Sequence, residues 1–145
     1  MITPPRLLIL CTGNSCRSQI AEGWFRHYAG DALEVRSAGV EAHGLNPRAV
    51  TVMVEAGVDI SAQRSNVIDD YDGERFDYVI TVCDSARERC PWFPAEAELI
   101  HHSFPDPADA TGSEEEILDV FRETRDRIRE YAELFVTERG LGTRD

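Results

Sequence analysis

Apolar residues follow two rhythms along this chain, one continuous and one spaced by about four. Leu7-Leu8-Ile9-Leu10-Cys11 is an unbroken run, the pattern of a strand buried on both faces, and it breaks at Thr12-Gly13-Asn14-Ser15. From Cys16 to Tyr28 the residues Ile20, Trp24 and Tyr28 recur every fourth position before Gly30-Asp31, which predicts a helix with one buried stripe. Leu33 to Val35 reads as a short strand leading to Ser37-Ala38-Gly39. Asn46 suits a helix cap with Pro47 at the first helical position, and Ala49, Val50, Met53 and Val54 supply an apolar face until Gly57. Ser65 to Asp70 could form a short helix, followed by an acidic turn from Asp69 to Glu74. Phe76 to Val82 predicts the next buried strand, and Cys83 to Cys90 a helix stopped by Pro91, because the residue before proline is pushed out of the helical region. Leu99-Ile100 reads as a last short strand. A terminal helix spans about Ser113 to Val136, with Ile117, Phe121, Thr124, Ile128, Tyr131 and Phe135 on one face. Strands alternating with helices predict an α/β fold with a parallel sheet and ligands at the carboxyl ends of its strands.

The chain has 145 residues, which fits a single domain over 1–145 with a core large enough to fold without a metal or disulfide. Fifteen Lys and Arg against 27 Asp and Glu give a net charge of −12, which disfavours nucleic acid and anionic membrane surfaces as partners. The apolar run at Leu7–Leu10 is too short for a signal peptide or a membrane span, so a cytoplasmic monomer is expected. The acidic residues Asp69, Asp70, Asp72 and Glu74 lack the spacing of a calcium loop and read as a solvated turn.

Chemistry concentrates in Cys11-Thr12-Gly13-Asn14-Ser15-Cys16-Arg17-Ser18. A thiol ends the first strand, a loop of small residues follows, and an arginine opens a helix. The backbone N–H groups of Thr12, Gly13, Asn14, Ser15 and Cys16, backed by the helix N-terminus, suit a tetrahedral oxyanion. Arg17 adds a planar fork for two of its oxygens. The same field should lower the pKa of Cys11, placing a thiolate nucleophile beneath the anion, and Ser18 could donate a hydrogen bond to it. A structural cysteine before an ordinary turn is the plainer alternative. Cys16 points into the helix start and is more often packing than chemistry.

Cys11 to Glu22, reading CTGNSCRSQIAE, resembles the signature loop shared by low-molecular-weight protein tyrosine phosphatases and thioredoxin-coupled arsenate reductases. Ser37-Ala38-Gly39, His43 to Pro47 and Asp106-Pro107-Ala108 extend the resemblance over nearly the whole chain. Gln19 to Trp24 is similar to the reductases, whereas the phosphatases usually carry proline where Gln19 stands. The resemblance implies four parallel strands in the order 2-1-3-4 flanked by helices. In that order Cys11 and Cys83 end adjacent strands, about 5 Å apart and within disulfide reach. The spacing of Cys11, Cys16, Cys83 and Cys90 does not suit zinc, and a static disulfide is disfavoured in a reducing compartment. The reductases resemble this chain in carrying Cys83 and Cys90 with proline after the second.

What the resemblance implies is a relay that turns arsenate into arsenite. Cys11 attacks arsenic, Asp106 protonates the departing oxygen, Cys83 attacks Cys11, and Cys90 resolves the pair into a Cys83–Cys90 disulfide that thioredoxin reduces. A turn-forming Asp106 before Pro107, without a role in the chemistry, is the plainer alternative. No cofactor is required, although the resembling reductases can bind a potassium ion beside the loop. Asn14, Glu22 and Ser37 match its ligands, while Asn66 stands where an aspartate would be expected. Alternatively Asn14 only braces the loop and Glu22 is a helix residue. His43 is expected to brace from a second layer, and no role falls to His101 or His102. The competing functions are a phosphatase with a redox-protective cysteine pair and a non-enzymatic oxyanion or redox sensor.

Overall fold

The computed structural model describes residues 3–83 and 97–142. Cys90, Pro91 and the helix expected between Cys83 and Cys90 lie outside the described residues. Four parallel strands form one sheet in the order β2-β1-β3-β4, as the resemblance implied: β1 Arg6–Cys11, β2 Glu34–Gly39, β3 Tyr78–Thr81 and β4 Glu98–His101. β1 lies between β2 and β3, with Leu8 opposite Arg36 on one side and Val79 on the other. Its residues Leu7 to Ile9 have no exposed surface, which is why the apolar run is unbroken rather than alternating.

Among the described residues there are three α-helices, α1 Arg17–Ala29, α2 Pro47–Glu55 and α3 Glu114–Glu138; α1 packs on β1 and β2, α3 packs on α1 and sets Phe135 against Tyr78 of β3, and α2 packs on α3 and α1. α2 starts where Asn46 Oδ1 accepts the Arg48 N–H at 2.8 Å. α3 starts in a reciprocal cap between Ser113 and Glu116. α1 has neither a side-chain cap nor an acidic residue in its first turn, so its leading N–H groups stay available. Among the described residues no helix is long and apolar enough to cross a membrane.

The short helix considered for Ser65–Asp70 is corrected to a 3-10 turn at Ile68–Tyr71. Asn66 is already committed elsewhere, its N–H to Asn14 Oδ1 at 2.7 Å and its carbonyl to Gly39 N–H at 2.8 Å. Val67 bridges to Gly39 as an isolated parallel pair, so helical bonding cannot begin before Ile68.

Candidate active site

The loop leaves β1 at Cys11 and turns back into α1 at Arg17. Its reversal is made at Asn14, which holds a left-handed φ of 48°. A non-glycine residue adopts that region only where its surroundings compensate. Asn14 is fully buried, and its Nδ2 donates to Ser18 Oγ at 2.8 Å and Ser37 Oγ at 2.9 Å. The adjacent segment fastens the loop carbonyls, since the N–H groups of Val40, Glu41, His43 and Asn46 donate to Cys11, Thr12, Gly13 and Ser15. His43 packs so closely on Gly13 that a side chain there would overlap its ring, in line with the expected bracing role. Its Nε2 is 2.8 Å from Glu41 Oε2.

This leaves the other side of the loop as donors. Among the described residues no carbonyl takes the backbone N–H groups of residues 13–19. Seven consecutive backbone donors without a carbonyl partner, at the carboxyl end of the central strand, are the kind of set that can hold a multi-oxygen anion. Arg17 is nine-tenths buried beside it. Its Nη1 donates to the Phe104 carbonyl at 2.9 Å, its Nη2 lies 3.4 Å from Asp106 Oδ2, and its Nε is buried with no protein partner. Asp106 forms the turn considered for it and also faces the site. Oδ1 accepts the Ala108 N–H at 3.0 Å and caps the 3-10 turn Pro107–Asp109, while Oδ2 faces Arg17.

Cys11 and Cys83 are buried and not joined by a disulfide, at the carboxyl ends of the neighbouring strands β1 and β3, and Thr12 Oγ1 lies 3.1 Å from Cys83 Sγ. The expected depression of the Cys11 pKa is corrected: the thiol is pushed up, first by its hydrogen bond with Cys83 and then by burial. The Arg17 charge and the Thr12 N–H pull the other way and are outweighed. With two sulfurs sharing a buried site, a thiolate on one holds the proton on the other. Removing the raising partner should therefore lower the Cys11 pKa, so Cys83→Ala is expected to shift the pH midpoint of Cys11 alkylation by iodoacetamide downward. An unchanged or higher midpoint, followed on the Cys11 peptide by mass spectrometry, would contradict this coupling.

Ser18 also departs from expectation. The contact of its hydroxyl is the one accepted from Asn14, and no bond to Cys11 is formed. Cys16 is buried at the cap of α1 with its thiol pushed up by burial, which fits packing rather than chemistry.

The oxygens matching a cation site are brought together, yet they are engaged with protein. Ser37 donates to Glu22 Oε1 at 2.5 Å, Arg26 Nη2 pairs with Glu22 Oε2 at 2.8 Å, and Asn14 Oδ1 accepts from Asn66. Asn66 turns its own amide to the Arg64 carbonyl at 3.2 Å. This arrangement does not fit a bound potassium ion, because Arg26 already supplies the positive charge that Glu22 needs. Exchanging sodium for potassium at constant ionic strength is expected to leave the Kd of inorganic phosphate, a tetrahedral anion of the kind the loop suits, unchanged by calorimetry, and a marked potassium-specific tightening would contradict it.

Sequence reasoning did not find the Phe104 carbonyl on Arg17, the backbone ladder from residues 40–46, the bond from Gln63 Nε2 to Gln19 Oε1 at 2.8 Å, or that from Ser65 Oγ to the Asn14 carbonyl at 2.9 Å. These contacts join positions far apart in the chain through irregular segments, which leave no periodic signal.

The low molecular weight phosphotyrosine protein phosphatase family model matches residues 6–140. An arsenate reductase of Halalkalibacterium halodurans is 50% identical over 131 residues, covering 88% of this chain and 94% of that protein. A solved arsenate reductase in the phosphate binding state superposes with a TM-score of 0.73 at 31% identity, over 92% of this chain and 98% of the other. A thioredoxin-dependent arsenate reductase of Corynebacterium glutamicum gives a TM-score of 0.69 at 30% identity, over 95% of this chain and 65% of the other.

Proposed function

This chain belongs to the low molecular weight phosphotyrosine protein phosphatase family and to its arsenate reductases, and from that premise we propose that it reduces arsenate to arsenite through Cys11, Cys83 and Cys90, with thioredoxin as reductant. The observation that carries the reading is the second buried thiol, Cys83, which lies two residues beyond β3, the neighbour of the strand that Cys11 ends, and within 3.1 Å of Thr12 Oγ1. A phosphatase needs one nucleophilic sulfur, whereas reduction needs a second sulfur to complete a disulfide.

Arsenate enters the nest of N–H groups and supplies the Arg17 Nε with the partner that protein atoms do not. The Cys11 thiolate forms a sulfur–arsenic bond, and Asp106 delivers a proton so that the displaced oxygen leaves as water. Arg17 is placed to hold both the anion and the Asp106 carboxyl. Cys83, as thiolate, then attacks the Cys11 sulfur. The sulfur–arsenic bond breaks, its electron pair stays on arsenic, and arsenite leaves a Cys11–Cys83 disulfide. Thr12 Oγ1 can stabilise the Cys83 thiolate by donating to it. Cys90 attacks Cys83 and frees Cys11, and a thioredoxin dithiol reduces the Cys83–Cys90 disulfide by exchange. A reducing, cytoplasmic setting suits this cycle, because each sulfur must return to a thiol before the next turnover.

The test couples the protein to thioredoxin, thioredoxin reductase and NADPH. NADPH consumption that depends on arsenate is expected. Turnover of p-nitrophenyl phosphate without reductant, together with no arsenate-dependent consumption, would replace this proposal by a phosphatase.

A further inference from the structure

Gln19 sits in the first turn of α1 with no exposed surface, and its side chain reaches the left-handed residue of the loop. Its Nε2 donates to the Asn14 carbonyl at 3.0 Å, to Asn14 Oδ1 at 3.2 Å and to the Arg64 carbonyl at 2.9 Å. An amide carries two hydrogens, so the two Asn14 oxygens share one of them. Gln63 Nε2 completes the arrangement, donating to Gln19 Oε1 at 2.8 Å and to the Gln19 carbonyl at 3.0 Å. Ser65 Oγ adds a third bond, to the Asn14 carbonyl, at 2.9 Å.

These bonds converge on the residue whose backbone sets the aim of the loop. The peptide units flanking Asn14 carry two of the N–H groups that no carbonyl takes, and relaxation of its φ of 48° toward the ordinary region would change where they point. A strained φ persists only when neighbours over-determine it, and Gln19 grips both the backbone and the side chain of Asn14. The Gln63 bond in turn fixes the Gln19 amide, so its two ends cannot exchange places.

We propose that Gln19 is the positioning residue of the oxyanion loop: by holding Asn14 left-handed it sets the affinity for arsenate while touching neither the anion nor the reactive sulfurs. The identity of the substrate rests on the arsenate reductase reading, whereas inorganic phosphate probes the loop independently of it.

The experiment uses Gln19→Met, which keeps the length of the side chain and removes its hydrogen bonds, and Gln63→Met, which leaves the Gln19–Asn14 bonds in place. Arsenate KM and kcat, the Kd of inorganic phosphate by calorimetry, and thermal midpoints are compared with the parent. For Gln19→Met, KM and the phosphate Kd should rise about tenfold while kcat stays within about threefold, the scale of a lost buried hydrogen-bonded constraint. Gln63→Met should move both constants the same way by about threefold, and it alone decides if Gln19→Met does not fold. A folded Gln19→Met with phosphate Kd and arsenate KM within about twofold of the parent would overturn the proposal, whatever its thermal midpoint, as would a fall in kcat at constant KM. If the parent binds phosphate but does not reduce arsenate, the reductase reading fails and the phosphate Kd still decides the role of Gln19.

Discussion

Replacing Cys11 by serine is expected to abolish arsenate reduction, with a loss of more than about 10⁴-fold in turnover. The size of the effect follows from two separate losses. A serine hydroxyl titrates far above a thiol, so the positive field of Arg17 and the N–H nest cannot supply an appreciable alkoxide. Even an arsenic–oxygen bond would leave Cys83 no sulfur to attack, and without a disulfide there is no source for the electron pair that converts arsenate to arsenite. Anion binding should survive, because the donors are backbone N–H groups and Arg17, whose contacts run to Phe104 and Asp106 rather than to the sulfur. Calorimetry with inorganic phosphate would show binding retained, and an arsenite assay would show no turnover. Sustained multiple-turnover activity in Cys11→Ser would remove Cys11 from the role of nucleophile.

Asp106→Asn should slow the chemical step by about 10²- to 10⁴-fold with little change in phosphate affinity. Asparagine retains an oxygen to accept the Ala108 N–H, so the 3-10 turn keeps its cap and the loop that carries Phe104 against Arg17 stays in place. What it loses is the proton. Hydroxide is a poor leaving group, and the departing oxygen of arsenate then has to leave without general-acid assistance. The check is a single-turnover measurement of arsenite formation, which isolates chemistry from reduction by thioredoxin. An unchanged single-turnover rate would leave Asp106 with only its turn-forming role.

How much of this could be read from the chain depends on how local each feature is. Strand, loop, Arg17 and helix lie within one contiguous stretch, so their chemistry was legible from residue types and spacing alone. The buried run at Leu7–Leu10 identified the central strand because both of its faces are covered. The meeting of Cys11 and Cys83 could be inferred only through the strand order, which places β1 beside β3. The direction of the Cys11 shift was misjudged for a physical reason: the loop field and Arg17 are visible in sequence, whereas burial and the facing Cys83 thiol arise only on folding, and together they dominate. The bracing of Asn14 by Ser65 and Asn66, and of Gln19 by Gln63, was equally hidden. Those residues lie in an irregular segment about fifty positions away, and no periodicity marks which of them turns inward.

The relay itself is most directly tested by counting arsenite in Cys90→Ser supplied with arsenate, thioredoxin, thioredoxin reductase and NADPH. With Cys11 and Cys83 intact and no resolving thiol, the enzyme should release one arsenite per molecule and then stall, and peptide mass spectrometry should find Cys11 joined to Cys83. Sustained turnover, or a stalled enzyme in which Cys11 is not bonded to Cys83, would contradict the transfer of electrons from these two sulfurs to arsenic.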